Sequence, residues 1–483
     1  AISAINSYTL LDIIDEILDE KPDAILVYAG HNEFYGALGI ASAESLGKFR
    51  WFIKAYLKLK RYKTFCLIAD IIGIFRSGIS KNESKNQPTT TMMEQIVAGE
   101  KIAYGSDIYE LGKQQFKKNL SDILKKLNKA NVLVLISELV SNIKDQKPFV
   151  SIEENRLPSA DALYQRAREL EREQKFDKAK TIYYRAKDLD ALRFRATEEF
   201  NEIIHELASK YNVSVVPMKS YFESISANGL IGDNLMVDHL HPNIEGCFLM
   251  AKAFFETMQE NGFVTSRWDS SYIKPDSCYR HSWGITPLDS VYSDLRIRSL
   301  KGGWPFKPKS APNLMLQNFQ PKTKIEYLAL RSWLDRKFTL EDAHIDLVEN
   351  YEKSENFQLA YEECIALSCL KPYNVKTYLK AADMLIKQGK FTKALDILYY
   401  SLKIEETAFA FKWIGHILLI QNNIEESIFY LEKVYKMVAT DSQVLYDLIR
   451  VYIRSKQYKM AKEIFIKLYE LDPEFPGLSD LKL

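Results

Sequence analysis

The sequence predicts two architectures in one chain. The first is an α/β domain built as a three-layer sandwich around a parallel sheet; the second is an all-α solenoid of paired helices. Three observations carry this reading. Short apolar runs alternate with amphipathic stretches over residues 1–265, which is the pattern of strands joined by helical crossovers. Small residues recur at Ala360, Ala394, Ser427 and Ala461, in steps of 34, 33 and 34 residues. The chain has 483 residues, 47% hydrophobic and 27% charged, so it is too long for one core and too apolar for intrinsic disorder.

Taken in order, residues 8–19 carry a helical stripe of Leu10, Leu11, Ile14, Ile17 and Leu18 that stops at Lys21-Pro22. Asp23 to Ala29 then reads as a fully buried strand. A second cycle pairs a helix over Ile108–Leu127 with a strand over Val132–Ile136, and a third pairs Thr197–Lys210 with Val213–Val216. A last helix spans Ile244–Asn261. Two segments interrupt the alternation. Phe49–Phe75 is helical, aromatic and basic and is followed by a polar loop at Ser80–Thr91, while Ala160–Ala191 reads as a helical hairpin.

The hairpin's spacing recurs near the C-terminus. Ala167, Leu170, Ala179, Tyr183 and Ala186 take the same small and large positions as Ala382, Gly389 and Ala394, or Tyr452, Ala461, Phe465 and Pro473. The recurring period of about 34 residues identifies these as tetratricopeptide units, in which small residues let paired helices approach and each pair covers its neighbour. Four units are expected between Glu341 and Pro473. The expected boundaries are residues 1–159 and 192–265 for the two parts of the α/β domain, 160–191 for the inserted hairpin, and 336–483 for the repeats. Residues 266–335 are rich in Trp, Tyr and Pro and are expected to form an extended strap, with its aromatics anchored on the α/β domain.

Two motifs carry candidate chemistry. Gly30-His31-Asn32-Glu33 follows the carboxyl end of the first strand, where ligands gather in open α/β sheets. Asp238-His239-Leu240-His241-Pro242-Asn243 precedes the last helix, with Pro242 at an early helical position. In Asp-x-x-His the carboxylate can turn back to accept the imidazole Nδ1–H, which fixes the tautomer and leaves Nε2 as a base. The nearby helix N-terminus is expected to keep that imidazole neutral. Together with Ala4 to Asp12 and Tyr28 to Gly36, these motifs resemble the SGNH (GDSL-type) hydrolases, and most closely a bacterial subgroup with appended tetratricopeptide repeats.

The resemblance covers residues 1–265 and the repeats, and implies a serine esterase or lipase-type acyl hydrolase. By position, His241 would be the general base, Asp238 its orienting carboxylate and Asn32 an oxyanion donor worth about 10²–10³ in rate. Gly30 would allow a tight turn, and His31, Glu33, Asn142 and His239 would line the pocket. The family's nucleophilic serine falls before Ala1. Ser3, Ser7 and Ser42 are not on a strand-to-helix elbow, so the chain is expected to be part of a longer one and inactive by itself. The resemblance also implies a bacterial cell-envelope location and an acyl-ester substrate, either a lipid or an acylated glycan.

Several classes are excluded or ranked lower. With 65 Lys+Arg against 64 Asp+Glu the net charge is +1, which argues against a nucleic-acid partner. The five cysteines are scattered, so structural thiols are expected rather than a disulfide framework. No apolar run reaches the ~18 residues of a membrane span. No cofactor or metal is expected; zinc on Asp238, His239 and His241 is disfavoured because consecutive loop positions rarely meet tetrahedral angles. A protein or peptide partner is expected on the solenoid. The basic helix 49–75 is read as packing on its own domain, with peripheral membrane contact as its alternative. The rival functions are a scaffold with a retired enzyme domain, and an O-acyltransferase acting on a cell-envelope polysaccharide.

Overall fold

The computed structural model describes residues 5–42, 49–65, 67, 101–153, 157–280, 283–308, 311–317 and 319–481. The chain divides into two compact units: Ala1–Tyr272 with Ile297–Met315, and Ile273–Arg296 with Leu316–Leu483.

In the first unit, α1 (Ser7–Asp19) starts where the Asn6 side chain accepts the Thr9 N–H, and it buries Tyr8, Leu11 and Ile14. β1 (Ala24–Val27) follows, then α2 (Arg50–Leu59), α3 (Asp107–Lys129) and β2 (Leu133–Ser137). The inserted hairpin is α4 (Ala160–Arg172) and α5 (Phe176–Asp188). After it come α6 (Glu198–Tyr211), β3 (Ser214–Val216), α7 (Met218–Ile225) and α8 (Ile244–Glu260). The strands form a parallel sheet in the order β1-β2-β3, with Val27 opposite Ile136 and Ile136 opposite Val215.

Helices cover both faces of this sheet. One core joins Val27, Val134 and Ile136 to Leu11, Phe116, Leu120, Phe200 and Ile204, from α1, α3 and α6. The other joins Leu135 and Val216 to Tyr164, Ala167 and Tyr183 of the hairpin and to Phe222 and Leu249. The crossovers α3 and α6 share one face, as right-handed connections between sequentially ordered strands require. The sheet is nonetheless small, and the chain as a whole is mostly helical.

Three expectations need adjustment. The strand over residues 23–29 is not fully buried. Leu26 is 48% exposed on the β1 edge of the sheet, while α8 packs chiefly on β2 and β3. The long basic helix is realised as α2; residues 66 and 68–75 of that segment, and the polar loop 80–91, lie outside the described residues. The expected strap over 266–335 contains three helices: α9 (Asp276–Arg280), α10 (Pro287–Lys301) and α11 (Lys324–Leu334). Leu288, Val291, Tyr292 and Leu295 have helical spacing after Pro287, and Thr323 with Glu326 forms a capping box. The density of aromatics and prolines masked both signals.

In the second unit, Leu288 and Leu295 pack with Leu328, Ala329, Ala343 and Leu347. Four helix pairs follow: α12 (Leu340–Lys353) with α13 (Phe357–Leu370), α14 (Val375–Lys387) with α15 (Phe391–Leu402), α16 (Ala408–Ile420) with α17 (Ile424–Met437), and α18 (Ser442–Arg454) with α19 (Tyr458–Leu471). The frame positions Ala360, Ala394, Ser427 and Ala461 are all fully buried, as close helix packing demands.

Candidate active site

The loop carrying the second motif is held from both ends. The Val237 N–H donates to the His241 carbonyl and the Asn243 N–H to that of Leu235, while Met236 and Pro242 form an antiparallel bridge. Asn243 then caps α8 by accepting the Gly246 N–H at 2.9 Å. Inside this turn Asp238 is 1% exposed. Its Oδ1 accepts the backbone N–H groups of Leu240 and His241, at 2.9 and 2.8 Å, and its Oδ2 lies 2.8 Å from His241 Nδ1.

Burial acts to raise the Asp238 carboxyl, but the His241 hydrogen bond and the histidine charges outweigh it and hold the group well below the usual carboxylate range. Asp238 therefore stays ionised. The same hydrogen bond raises the His241 imidazole above its ordinary value, with burial opposing. The direction is opposite to the lowering expected from the α8 N-terminus. His241 keeps a 56% exposed side chain, and among the described residues none hydrogen-bonds its Nε2.

The other two histidines are buried and neutral. His239 is 1% exposed, between the rings of Phe149, Phe194 and Phe306 and perpendicular to His241 at 6.0 Å. Its Nδ1 stands 3.5 Å from Asp238 Oδ1, but neither ring nitrogen makes a hydrogen bond among the described residues. Burial lowers its pKa to about 3. His31 accepts the Ala196 N–H on Nδ1 at 3.1 Å, which leaves its proton on Nε2, 3.2 Å from the Tyr28 hydroxyl. Burial first, then the charges of Lys187, His239 and His241, lower it to about 3.

The remaining predicted residues have local partners. The Asn32 amide donates to the Ile5 carbonyl at 3.2 Å. Gly30 takes φ +149°, and a Cβ there would meet the Leu139 side chain at 2.5 Å, so this strand end admits only glycine. Glu33 does not line a pocket with these histidines. It is buried at the start of α1, where it accepts the Ser7 N–H at 3.0 Å and the Ser7 hydroxyl. Burial raises it to about 7, against those hydrogen bonds. Asn142 likewise faces its own loop: Nδ2 donates to Asp233 at 2.8 Å and Oδ1 accepts the N–H groups of Asp145 and Gln146. Its backbone N–H donates to the His239 carbonyl at 3.0 Å, which ties this loop to the second motif.

Sequence reasoning missed the groups behind these loops. Arg195 is buried, donates to the carbonyls of Asn142 and Gln146, and pairs with Asp190 at 3.0 Å. Asp190 in turn accepts the N–H groups of Phe149 and Val150. The available signal was Asp190, Arg193 and Arg195 set among Leu189, Leu192 and Phe194, charges in an otherwise apolar run. Trp304 and Phe306, expected to be anchors, meet Phe194 at 5.8 Å and Phe149 at 5.2 Å.

Comparison with known proteins finds a match to the tetratricopeptide repeat at residues 413–437 and 443–475. No curated protein matches the sequence. Among solved structures, one described as the crystal structure of MamA protein is 19% identical, over 28% of this chain and 74% of its own, with a TM-score of 0.27. Yeast Tom70 is 14% identical over 78% and 73%, with a TM-score of 0.28. The APC/C hetero-tetramer Cut9–Hcn1 is 14% identical over 76% and 68%, with a TM-score of 0.25. Superpositions this loose carry no argument. The family match lies wholly in the second unit, so the likeness of the first unit to SGNH hydrolases rests on its motifs alone. The chain thus joins an α/β unit to an array that contains tetratricopeptide repeats.

Proposed function

We propose that this chain is a protein-binding scaffold whose second unit holds a segment of a partner protein. The observation that carries this is the match to tetratricopeptide repeats within an array of four helix pairs. Arrays of this kind have extended surfaces suited to long peptide segments. The test is cross-linking of the whole protein in its own cells, followed by mapping of the linked residues. Cross-links to a defined partner should fall on residues 340–471 and vanish when α16–α19 are deleted. A partner profile unchanged by that deletion refutes the scaffold.

A second reading is supported by the Asp238–His241 pair: acyl-ester chemistry at the first unit. A buried, ionised carboxylate on Nδ1 with Nε2 open to solvent is the arrangement a general base needs. In such a reaction a serine hydroxyl gives its proton to His241 Nε2 and attacks the ester carbonyl. The alcohol leaves with that proton, and water, activated by the same imidazole, releases the acid. Asn32 would donate to the oxyanion. A serine-directed phosphonate probe applied to the protein from its native cells tests this. Labelling should be lost in His241→Ala; labelling that persists, or none in the unaltered protein, refutes it. A sugar hydroxyl replacing water in the second step would make the same site a transferase, which product analysis distinguishes.

A further inference from the structure

Helix α2 is apolar on two sides. Its inner side chains, Ile53 and Leu57, are buried against Tyr8. At about 3.6 residues per turn, Trp51, Ala55, Leu59 and Phe52 fall on the opposite arc. Trp51 is 70% exposed, Phe52 45% and Leu59 44%, and Phe49 just before the helix is 68% exposed. The Trp51 and Phe52 rings stand edge to face at 5.9 Å and so form one cluster. A helix apolar on both faces is ordinarily covered on both, and a contiguous exposed cluster of large rings marks an interaction surface.

The charge beside this cluster names the partner. A groove of about 490 Å³ between α1, α2 and α3 is lined by six cations and three carboxylates. Lys54 pairs with Asp122, Lys126 with Asp15, and Arg61 reaches Asp12 and Asp15. Lys58, Lys125 and Lys129 line the same groove and have no ion pair among the described residues. Uncompensated lysines beside exposed Trp and Phe match a surface with two layers, anionic outside and apolar within. A soluble anion would satisfy the lysines and leave the rings in water.

We propose that the outer face of α2 and the adjoining lysines dock on an anionic lipid surface, with Trp51 and Phe52 entering the headgroup–acyl boundary. This surface is separate from the Asp238–His241 site and stands or falls independently of it.

The experiment is flotation of the whole protein with vesicles of phosphatidylcholine, alone or mixed with phosphatidylglycerol, at low and high salt. Binding should require the anionic lipid and weaken with salt. Lys58→Glu, Lys125→Glu and Lys129→Glu together should reduce it by about a hundredfold, from about fivefold per lysine near an anionic surface. Trp51→Ala with Phe52→Ala should reduce it about tenfold or more. The two variants alter exposed positions by different chemistry, so a folding fault in one leaves the other decisive, and circular dichroism identifies such a fault. No vesicle binding by the unaltered protein overturns the proposal, as does binding that both variants retain. So does an oligomer that the Trp51→Ala, Phe52→Ala pair dissociates without any vesicle binding, since that assigns the face to a second copy of the chain.

Discussion

His344 should make the second unit's stability depend on pH in a direction opposite to ordinary acid denaturation. The residue is fully buried in α12, with Nδ1 2.5 Å from Glu363 of α13 and Nε2 3.2 Å from Asp289 of α10. Burial acts to lower its pKa, but hydrogen bonds and charge from the two carboxylates outweigh it and raise the group from 6.5 to about 9. A group bound more tightly to its proton in the folded state stabilises that state fully below its unfolded pKa, and the contribution disappears as pH rises through the folded value. That displacement corresponds to about 3 kcal/mol, present below about pH 6.5 and gone above about pH 9. His344→Gln keeps hydrogen-bonding capacity but takes up no proton. It should therefore cost about 3 kcal/mol near pH 6 and almost nothing near pH 10. Urea unfolding followed by hydrogen exchange at the α12 and α13 amides reads this unit directly. A stability that is flat between about pH 6.5 and pH 9, or a slope that survives His344→Gln, would refute the reasoning.

Three further outcomes follow from the same kind of argument. Glu33 is raised from 4.5 to about 7 by burial, so its ionisation opposes folding as pH rises; Glu33→Gln should stabilise the first unit by about 1–3 kcal/mol near pH 8 and have little effect near pH 5, checked by thermal denaturation. Asp238→Asn should drop the His241 pKa toward that of a free imidazole, followed by NMR of the ring protons, and an unmoved titration would show that the pair is not coupled in solution. Gly415 lies where a Cβ would meet Leu431 at 2.7 Å, so Gly415→Ala should wedge α16 from α17 and cost about 1–3 kcal/mol in urea denaturation.

Much of this fold was legible because it depends on local pattern. The stripe of α1, the strand–helix cycles and the small residues at Ala360, Ala394, Ser427 and Ala461 each state their own burial along the chain. So does the Asp238–His241 pair, since three residues of spacing are enough for the carboxylate to reach back. Other features depend on what packs from a distance. The exposure of Leu26 depends on which helices cover the edge strand, and the direction of Glu33 on where α1 begins. The direction of the His241 shift turns on how close Asp238 Oδ2 comes to Nδ1, 2.8 Å, a distance that spacing alone does not fix. Arg195 and Asp190 were overlooked because their partners are backbone groups 40 or more residues away, such as Phe149 and Val150.

The Asp190–Arg195 pair also bears on how the first unit assembles. It sits on the segment leaving the α4–α5 hairpin, and clasps main-chain groups of the stretch that enters that hairpin. The two ends of the insertion are therefore latched to each other beside the candidate site, not merely spliced into a surface loop. Every partner of the pair lies outside α4–α5, so the latch holds the two chain ends at the base of the hairpin by main-chain contacts alone. The clasp thus fixes where the hairpin leaves and re-enters the first unit, and Arg195→Ala should loosen both stretches together, read as faster amide exchange at Phe149 and Val150.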